Sequence, residues 1–195
     1  NRYLAIKERK FSENEKVYGM PADIMREIVL LKKFNHEHII RPIRVAINFT
    51  NFTYRVILEY FDSDLHSYIV RHREKQEAIP LETVKSIVHQ ILKGVEYLHS
   101  KLVVHRDIKP SNVLVNTQLK VKITDFGFAK QLSIPLRCLN KKIGTLCYRA
   151  PELLIDESVE YGTAVDIWSI GCIMVNLLIG ESFVDEVDEH ATLKK

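Results

Sequence analysis

Asp107, Lys109 and Asn112 fall within one short run, His105-Arg106-Asp107-Ile108-Lys109-Pro110-Ser111-Asn112, and a further carboxylate follows in Asp125-Phe126-Gly127. A carboxylate can take a proton from a hydroxyl, and an ammonium two positions on can meet developing negative charge. An amide oxygen and a second carboxylate are hard donors of the kind magnesium accepts. Such a set suits movement of a highly charged group between oxygens, a reaction that needs alignment and charge neutralisation more than covalent help. Ala150-Pro151-Glu152 follows downstream.

In order along the chain, these runs fit the H-R-D-x-x-x-x-N, D-F-G and A-P-E signature set. A single three-letter match is weak, whereas three in register leave little room for chance. On these motifs the chain resembles a eukaryotic protein kinase over nearly all of its length. The resemblance implies a serine/threonine kinase that uses ATP and Mg2+. By it Asp107 accepts the proton of the substrate hydroxyl, Lys109 reaches the γ-phosphate, and Asn112 and Asp125 hold magnesium. Thr145 resembles the threonine that touches the catalytic aspartate and the substrate. Arg106 and Asp166 take architectural roles, with Asp166 bonding the catalytic-loop backbone from a buried helix.

The nucleotide-binding residues follow from the same resemblance. Ala5-Ile6-Lys7, within a strand expected over 3–7, is similar to the A-I-K strand whose lysine holds the α and β phosphates. Read alone, Lys7 is better taken as a surface lysine on a strand; the later motifs reverse that. Glu27 resembles the helix glutamate that pairs with this lysine; read alone, it is a solvated glutamate. Leu58 resembles the residue at the back of the adenine pocket, and Glu59, Tyr60 and Phe61 the connection whose backbone meets the adenine edge. Asp64 falls at the pocket mouth near the ribose. Leu114 would close the floor of the base pocket and Ala5 part of its roof.

The elements that must position these groups show in the apolar spacing. Ile24, Ile28 and Leu31 give one stripe on a helix expected over 21–34, with Pro21 suited to its first turn. Arg55-Val56-Ile57-Leu58-Glu59-Tyr60-Phe61 reads as a strand. Val84, Ile87, Val88, Ile91, Leu92, Val95 and Leu98 mark a helix over 81–100, a scaffold for the catalytic run. Val113-Leu114-Val115 and Val121-Lys122-Ile123 flank a polar turn and read as a hairpin. The apolar stretch from Ile167 to Ile179 is too short and too interrupted for a membrane span and reads as a buried helix. His36 and His38 form an H-x-H pair, for which turn and surface roles outweigh a metal site, two histidines being thin evidence for one.

The branch is narrowed by Pro21-Ala22-Asp23-Ile24-Met25-Arg26-Glu27, which resembles the P-S-T-A-I-R-E helix of cyclin-dependent kinases. That resemblance implies a cyclin-like regulatory subunit seated on the 21–34 helix, and protein substrates. Ile134-Pro135-Leu136-Arg137 is similar to the family's G-I-P-V-R run, and counting from it places the family's activating threonine on Asn140. Arg26, Arg106 and Lys130, which would cradle a phosphate there, are retained. We therefore expect no loop phosphorylation at Asn140, as in the Mediator-associated branch, which Phe128-Ala129 and residues 68–73 also resemble. Cys147 stands where the family usually carries tryptophan. A mitogen-activated-type kinase is a third reading, weakened because no T-x-Y lies between D-F-G and A-P-E.

The chain of 195 residues is 46% hydrophobic, enough for a sizeable core. Its net charge of +3 is mild and dispersed, so nothing points to nucleic acid or an anionic membrane. Cys138, Cys147 and Cys172 form no C-x-x-C pair and suit reduced, buried thiols. The seven glycines are unclustered, and no G-x-G-x-x-G precedes Lys7. We expect an α+β, bilobal kinase-like fold, truncated: a partial N-lobe and hinge over 1–61 and a partial C-lobe over 62–195. The resemblance implies residence in nucleus and cytoplasm. A rival from another class is a non-catalytic kinase-like module that occupies a cyclin or substrate without turnover.

Overall fold

The computed structural model describes residues 3–12, 22–132, 144–155 and 161–181. The chain is α+β. Three strands, β1 (Leu4–Lys10), β2 (Pro42–Asn48) and β3 (Thr53–Glu59), form an antiparallel sheet in the order β1-β3-β2. One helix, α1 (Ala22–Lys33), accompanies it. β3 carries the burial of a central strand, with Thr53, Tyr54, Val56 and Leu58 buried. Tyr60 and Phe61 lie just beyond its end, so the strand stops two residues earlier than the apolar run predicts. β1 alternates, and Ala5 and Lys7 share its half-buried face.

The second half is mainly helical. β4 (Ser63–Asp64) leads into α2 (Leu65–Glu74), and α3 (Leu81–Ser100) follows. Asp64 caps α2, accepting from Ser67 N at 2.8 Å and Ser67 Oγ at 2.9 Å. β4 pairs with β6 (Val113–Val115), which pairs with β7 (Val121–Ile123) as the expected hairpin. β5 (Val103–Val104) pairs with β8 (Lys130–Gln131). A short 3-10 turn covers Pro110–Asn112 and another Leu146–Tyr148. Two helices follow, α4 (Glu152–Ile155) and α5 (Ala164–Ile179).

α3 runs over the predicted residues and buries Val84, Ile87, Ile91, Val95 and Leu98, while Leu92 faces outward. It packs closely enough at Gly94 that a Cβ there would lie 2.9 Å from Ile123 Cδ1 and 3.1 Å from the His38 carbonyl. The segment after α1 is tied to β7, with Ile123 N donating to His38 O and Ile40 N to Ile123 O, both at 2.9 Å. His38 Nδ1 donates to the Val121 carbonyl at 3.0 Å, and the His36 ring stacks on Tyr97 at 4.9 Å. The histidine pair is therefore structural, and no cluster of potential metal ligands occurs among the described residues.

The expectation of a buried helix over 167–179 needs correction. α5 buries Val165, Asp166, Ser169, Ile170, Ile173, Asn176 and Leu177 but exposes Ile167, Trp168, Met174, Leu178 and Ile179. Hydrophobicity all round the helix hid which stripe the described core uses. None of the described helices is long and apolar enough to cross a membrane. Cys147 is buried and Cys172 half-buried, both free; burial pushes the Cys172 thiol pKa up. Cys138, Asn140, the I-P-L-R run and Pro21 lie outside the described residues.

Candidate active site

Two groups of side chains meet where the sheet and the helical half face each other. In the first, Lys7 Nζ donates to Glu27 Oε1 at 2.8 Å and to Asp125 Oδ1 at 3.1 Å. α1 makes this possible by placing Glu27 on the same inner face as Ile24, Ile28 and Leu31, where it is buried. Asp125 is held outward because Phe126, next along, is fully buried. Its ring lies 5.3 Å from Phe34 and 4.8 Å from His105, centroid to centroid. Asp125 adopts φ 63, a left-handed conformation costly for a non-glycine residue. Burial works against the Asp125 charge, but the Lys7 ammonium and its hydrogen bond outweigh it, helped by His105 and the Gly127 N–H, and hold the carboxyl below its usual range. Burial likewise opposes the Lys7 charge, and Glu27 and Asp125 together raise its pKa above 10.5.

The signs set a pH window. The Asp125 contribution to stability is present above its ordinary value of 3.8 and is lost only as pH falls through its lower folded value. The Lys7 contribution is fully present below 10.5 and is lost as pH rises through its higher folded value. Stability is therefore expected to show no titration from this pair between about pH 5 and 9. Thermal melting across that range checks it, and a midpoint removed by Lys7→Met would contradict it.

The second group surrounds Asp107. Its Oδ1 accepts from Thr145 N and Thr145 Oγ1, both at 2.9 Å, and its Oδ2 accepts from Asn112 Nδ2 at 2.9 Å. Lys109 Nζ lies 3.2 Å from Asp107 Oδ2 and donates to Thr145 Oγ1 at 2.5 Å. Asn112 Nδ2 also donates to the Asp107 carbonyl at 2.9 Å. The Asn112 amide nitrogen is thus committed, and its orientation leaves the amide oxygen for another partner. Thr124 N donates to the Asn112 carbonyl at 3.0 Å, which sets Asn112 beside the residue preceding Asp125. A carboxylate held ionised and an amide oxygen at the open end of one hairpin fit a hard divalent cation.

A buried strap supports this loop. Asp166, fully buried on α5, accepts from His105 N and Arg106 N at 2.9 Å each and from His99 Nε2 at 2.8 Å. His105 Nε2 donates to the Thr124 carbonyl at 3.0 Å. Arg106 sits at φ 69, and the strap holds it there. Its side chain donates to the Phe128 carbonyl at 2.7 Å and to Tyr161 Oη at 3.1 Å. The phosphate-cradle reading of Arg106, Arg26 and Lys130 rests on a neighbourhood that includes undescribed residues, the Arg26 side chain among them.

The protein kinase domain family matches residues 1–195. This chain belongs to it. It is 41% identical to cyclin-dependent kinase E-1 of Arabidopsis thaliana over 184 residues, covering 91% of this chain and 38% of that one. It is 41% identical to probable cyclin-dependent kinase 8 of Dictyostelium discoideum over 184 residues, covering 91% of this chain and 48% of that one. Among solved structures it is similar to the yeast RNA Pol II CTD kinase CTDK-1 complex, with a TM-score of 0.84 and 33% identity over 98% of this chain and 59% of that one. The chain thus spans less than half the length of these two curated relatives.

Ala5 faces Leu58 across the β1–β3 ladder, and Leu114 arrives on β6; all three border one apolar core, as does Phe61. Glu59 turns its side chain to Lys122, 2.7 Å from Nζ, which leaves only its backbone for the connection. Both carboxylate oxygens of Asp64 are engaged by Ser67, so its side chain serves the α2 cap. The N-cap pattern of Asp before an apolar-periodic run carried that signal.

Gly144 was missed. Its φ is +83, and a Cβ there would sit 2.4 Å from the Arg106 carbonyl oxygen. Only glycine lets the chain pass that close before Thr145 docks on Asp107. Gly144→Ala is expected to cost about 1–3 kcal/mol and to lower turnover by displacing Thr145. Thermal melting together with steady-state kinetics checks both effects.

Proposed function

We propose that the protein is a cyclin-dependent-type serine/threonine kinase that transfers the ATP γ-phosphoryl group to hydroxyls of protein substrates. Support comes chiefly from Lys7 bridging Glu27 and Asp125 while Asp107, Asn112, Lys109 and Thr145 share one hydrogen-bonded set. Bound Mg-ATP supplies the group to be transferred and the divalent charge that neutralises it. Lys7, fixed by Glu27, would hold the phosphates, and Asn112 and Asp125 would hold the metal. Ala5, Leu58 and Leu114 offer the base an apolar lining. Asp107 aligns the incoming hydroxyl and takes its proton, and Lys109 meets the negative charge that develops.

A cyclin-like subunit would dock on α1. Its inner stripe is buried, whereas Met25 and Val29, one turn apart, are 47% and 44% exposed on the other side. We also place the protein in nucleus and cytoplasm, which cell fractionation can read. The decisive experiment supplies the whole protein with Mg-ATP and a serine-containing protein, with and without cyclins. Phosphate appearing on serine or threonine, faster with a cyclin, is the expected result. ATP binding with no transfer under any of these conditions would favour the non-catalytic module.

A further inference from the structure

A cleft of about 580 Å3 opens beside Lys109 and Thr145, lined by His66, Ile69 and Arg73 of α2 and by Glu181 just past α5. It is continuous with the Asp107 group, because Lys109 and Thr145 belong to both. Buried Ile69 and Cys147 supply apolar lining.

The cationic lining has a particular arrangement. α2 ends in Arg71, His72 and Arg73, and basic residues in a last helical turn are ordinarily explained by the helix dipole. Arg71 Nε and His72 Nδ1 fit that account, folding back onto the carbonyls of Ser67 and Tyr68 at 3.2 and 3.0 Å. Arg73 does not. It lines the cleft, and its guanidinium has no hydrogen-bond or ion-pair partner among the described residues. Lys109 is occupied by Asp107 and Thr145. Among the described residues the lining thus carries Arg73 and Lys109 against one carboxylate, Glu181.

We propose that this cleft selects the substrate by an acidic segment flanking the acceptor hydroxyl, an Asp or Glu carboxylate of the substrate pairing with Arg73. The inference rests on the phosphoryl-transfer reading of the Asp107 site and adds a substrate class to it. A guanidinium fork suits a carboxylate in two parallel hydrogen bonds, and an unpartnered one is free to form them. With the hydroxyl at Asp107, the partly apolar wall of Ile69 and Cys147 takes the backbone and small side chains between.

Three peptides, identical except that one serine is flanked by Asp and Glu, by Gln, or by Lys, test this on the whole protein. Fluorescence anisotropy at low salt reads affinity without turnover. The acidic peptide is expected to bind on the order of tenfold more tightly than the Lys peptide, with the gap shrinking as salt rises. Arg73→Glu is expected to erase or invert that order, and Glu181→Lys to widen it; both residues are exposed, and a thermal melt confirms folding. Equal binding of acidic and Lys peptides, or an order unchanged by Arg73→Glu, overturns the proposal. Where transfer is followed in parallel, the preference should lie in KM rather than kcat. Preference in binding with transfer to none of the peptides keeps the acidic cleft and overturns the transfer reading; transfer without preference does the reverse.

Discussion

Asp107→Asn is expected to lower kcat by on the order of 10²- to 10⁴-fold while changing nucleotide affinity little. The substitution keeps an acceptor for Thr145 if the amide oxygen takes the place of Oδ1. It then sets an amide N–H2 against Asn112 Nδ2 and the Lys109 ammonium, both donors. The side chain loses its ability to take a proton, and the neighbouring cation loses its counter-charge. Both effects fall on the transfer step, whereas Lys7, Glu27 and Asp125 remain in place. Rapid-quench single-turnover kinetics with calorimetric nucleotide binding separate the two. Undiminished single-turnover transfer would remove Asp107 from the chemistry. A weakened nucleotide affinity of the same size would mean that the loop itself had shifted, and the melting temperature would report that.

Asp166→Ala is expected to destabilise the protein by about 3–5 kcal/mol and to abolish turnover. The carboxylate is fully buried and accepts two backbone N–H groups and the His99 ring. Truncation leaves those donors without an acceptor in a place water reaches poorly, and each unsatisfied N–H costs about 1–3 kcal/mol. The left-handed backbone at Arg106 then loses the acceptor of its N–H. For a chain of this size the melting temperature should fall by about 10 °C. Asp166→Asn, which keeps one acceptor oxygen, should lose clearly less. Scanning calorimetry of both variants decides it: equal small shifts would show that the strap contributes little and that the loop is held by its packing alone.

Much of the architecture was legible because it is written in local periods. The α3 helix appears over the residues its apolar rhythm predicts, since a 3.6-residue repeat needs only one partner face to be satisfied. The α5 helix resisted the same reading. With apolar residues on every side, no stripe is distinguished, and only packing selects Ile170, Ile173 and Leu177 for the described core while Trp168 and Leu178 stay exposed. Glu59 and Asp64 show the limit for polar residues. A sequence position says what a carboxylate can do, and the neighbours decide whether it meets Lys122 or caps a helix.

The sequence by itself determined the donors and acceptors of the catalytic run, since Asp107 and Asn112 are five residues apart and local backbone geometry brings them within hydrogen-bond reach. It also determined the stripe of Ile24, Ile28 and Leu31 that α1 turns inward, whereas the burial of Glu27 beside it came from the tertiary structure. Only the tertiary structure decided that Lys7 meets Glu27, 20 residues away, and Asp125, 118 residues away. No local period encodes separations of that kind. They follow from burying Phe126 beneath α1, from docking β1 against β3, and from passing a glycine over the Arg106 carbonyl, contacts whose stabilisation exists only once the whole core has closed.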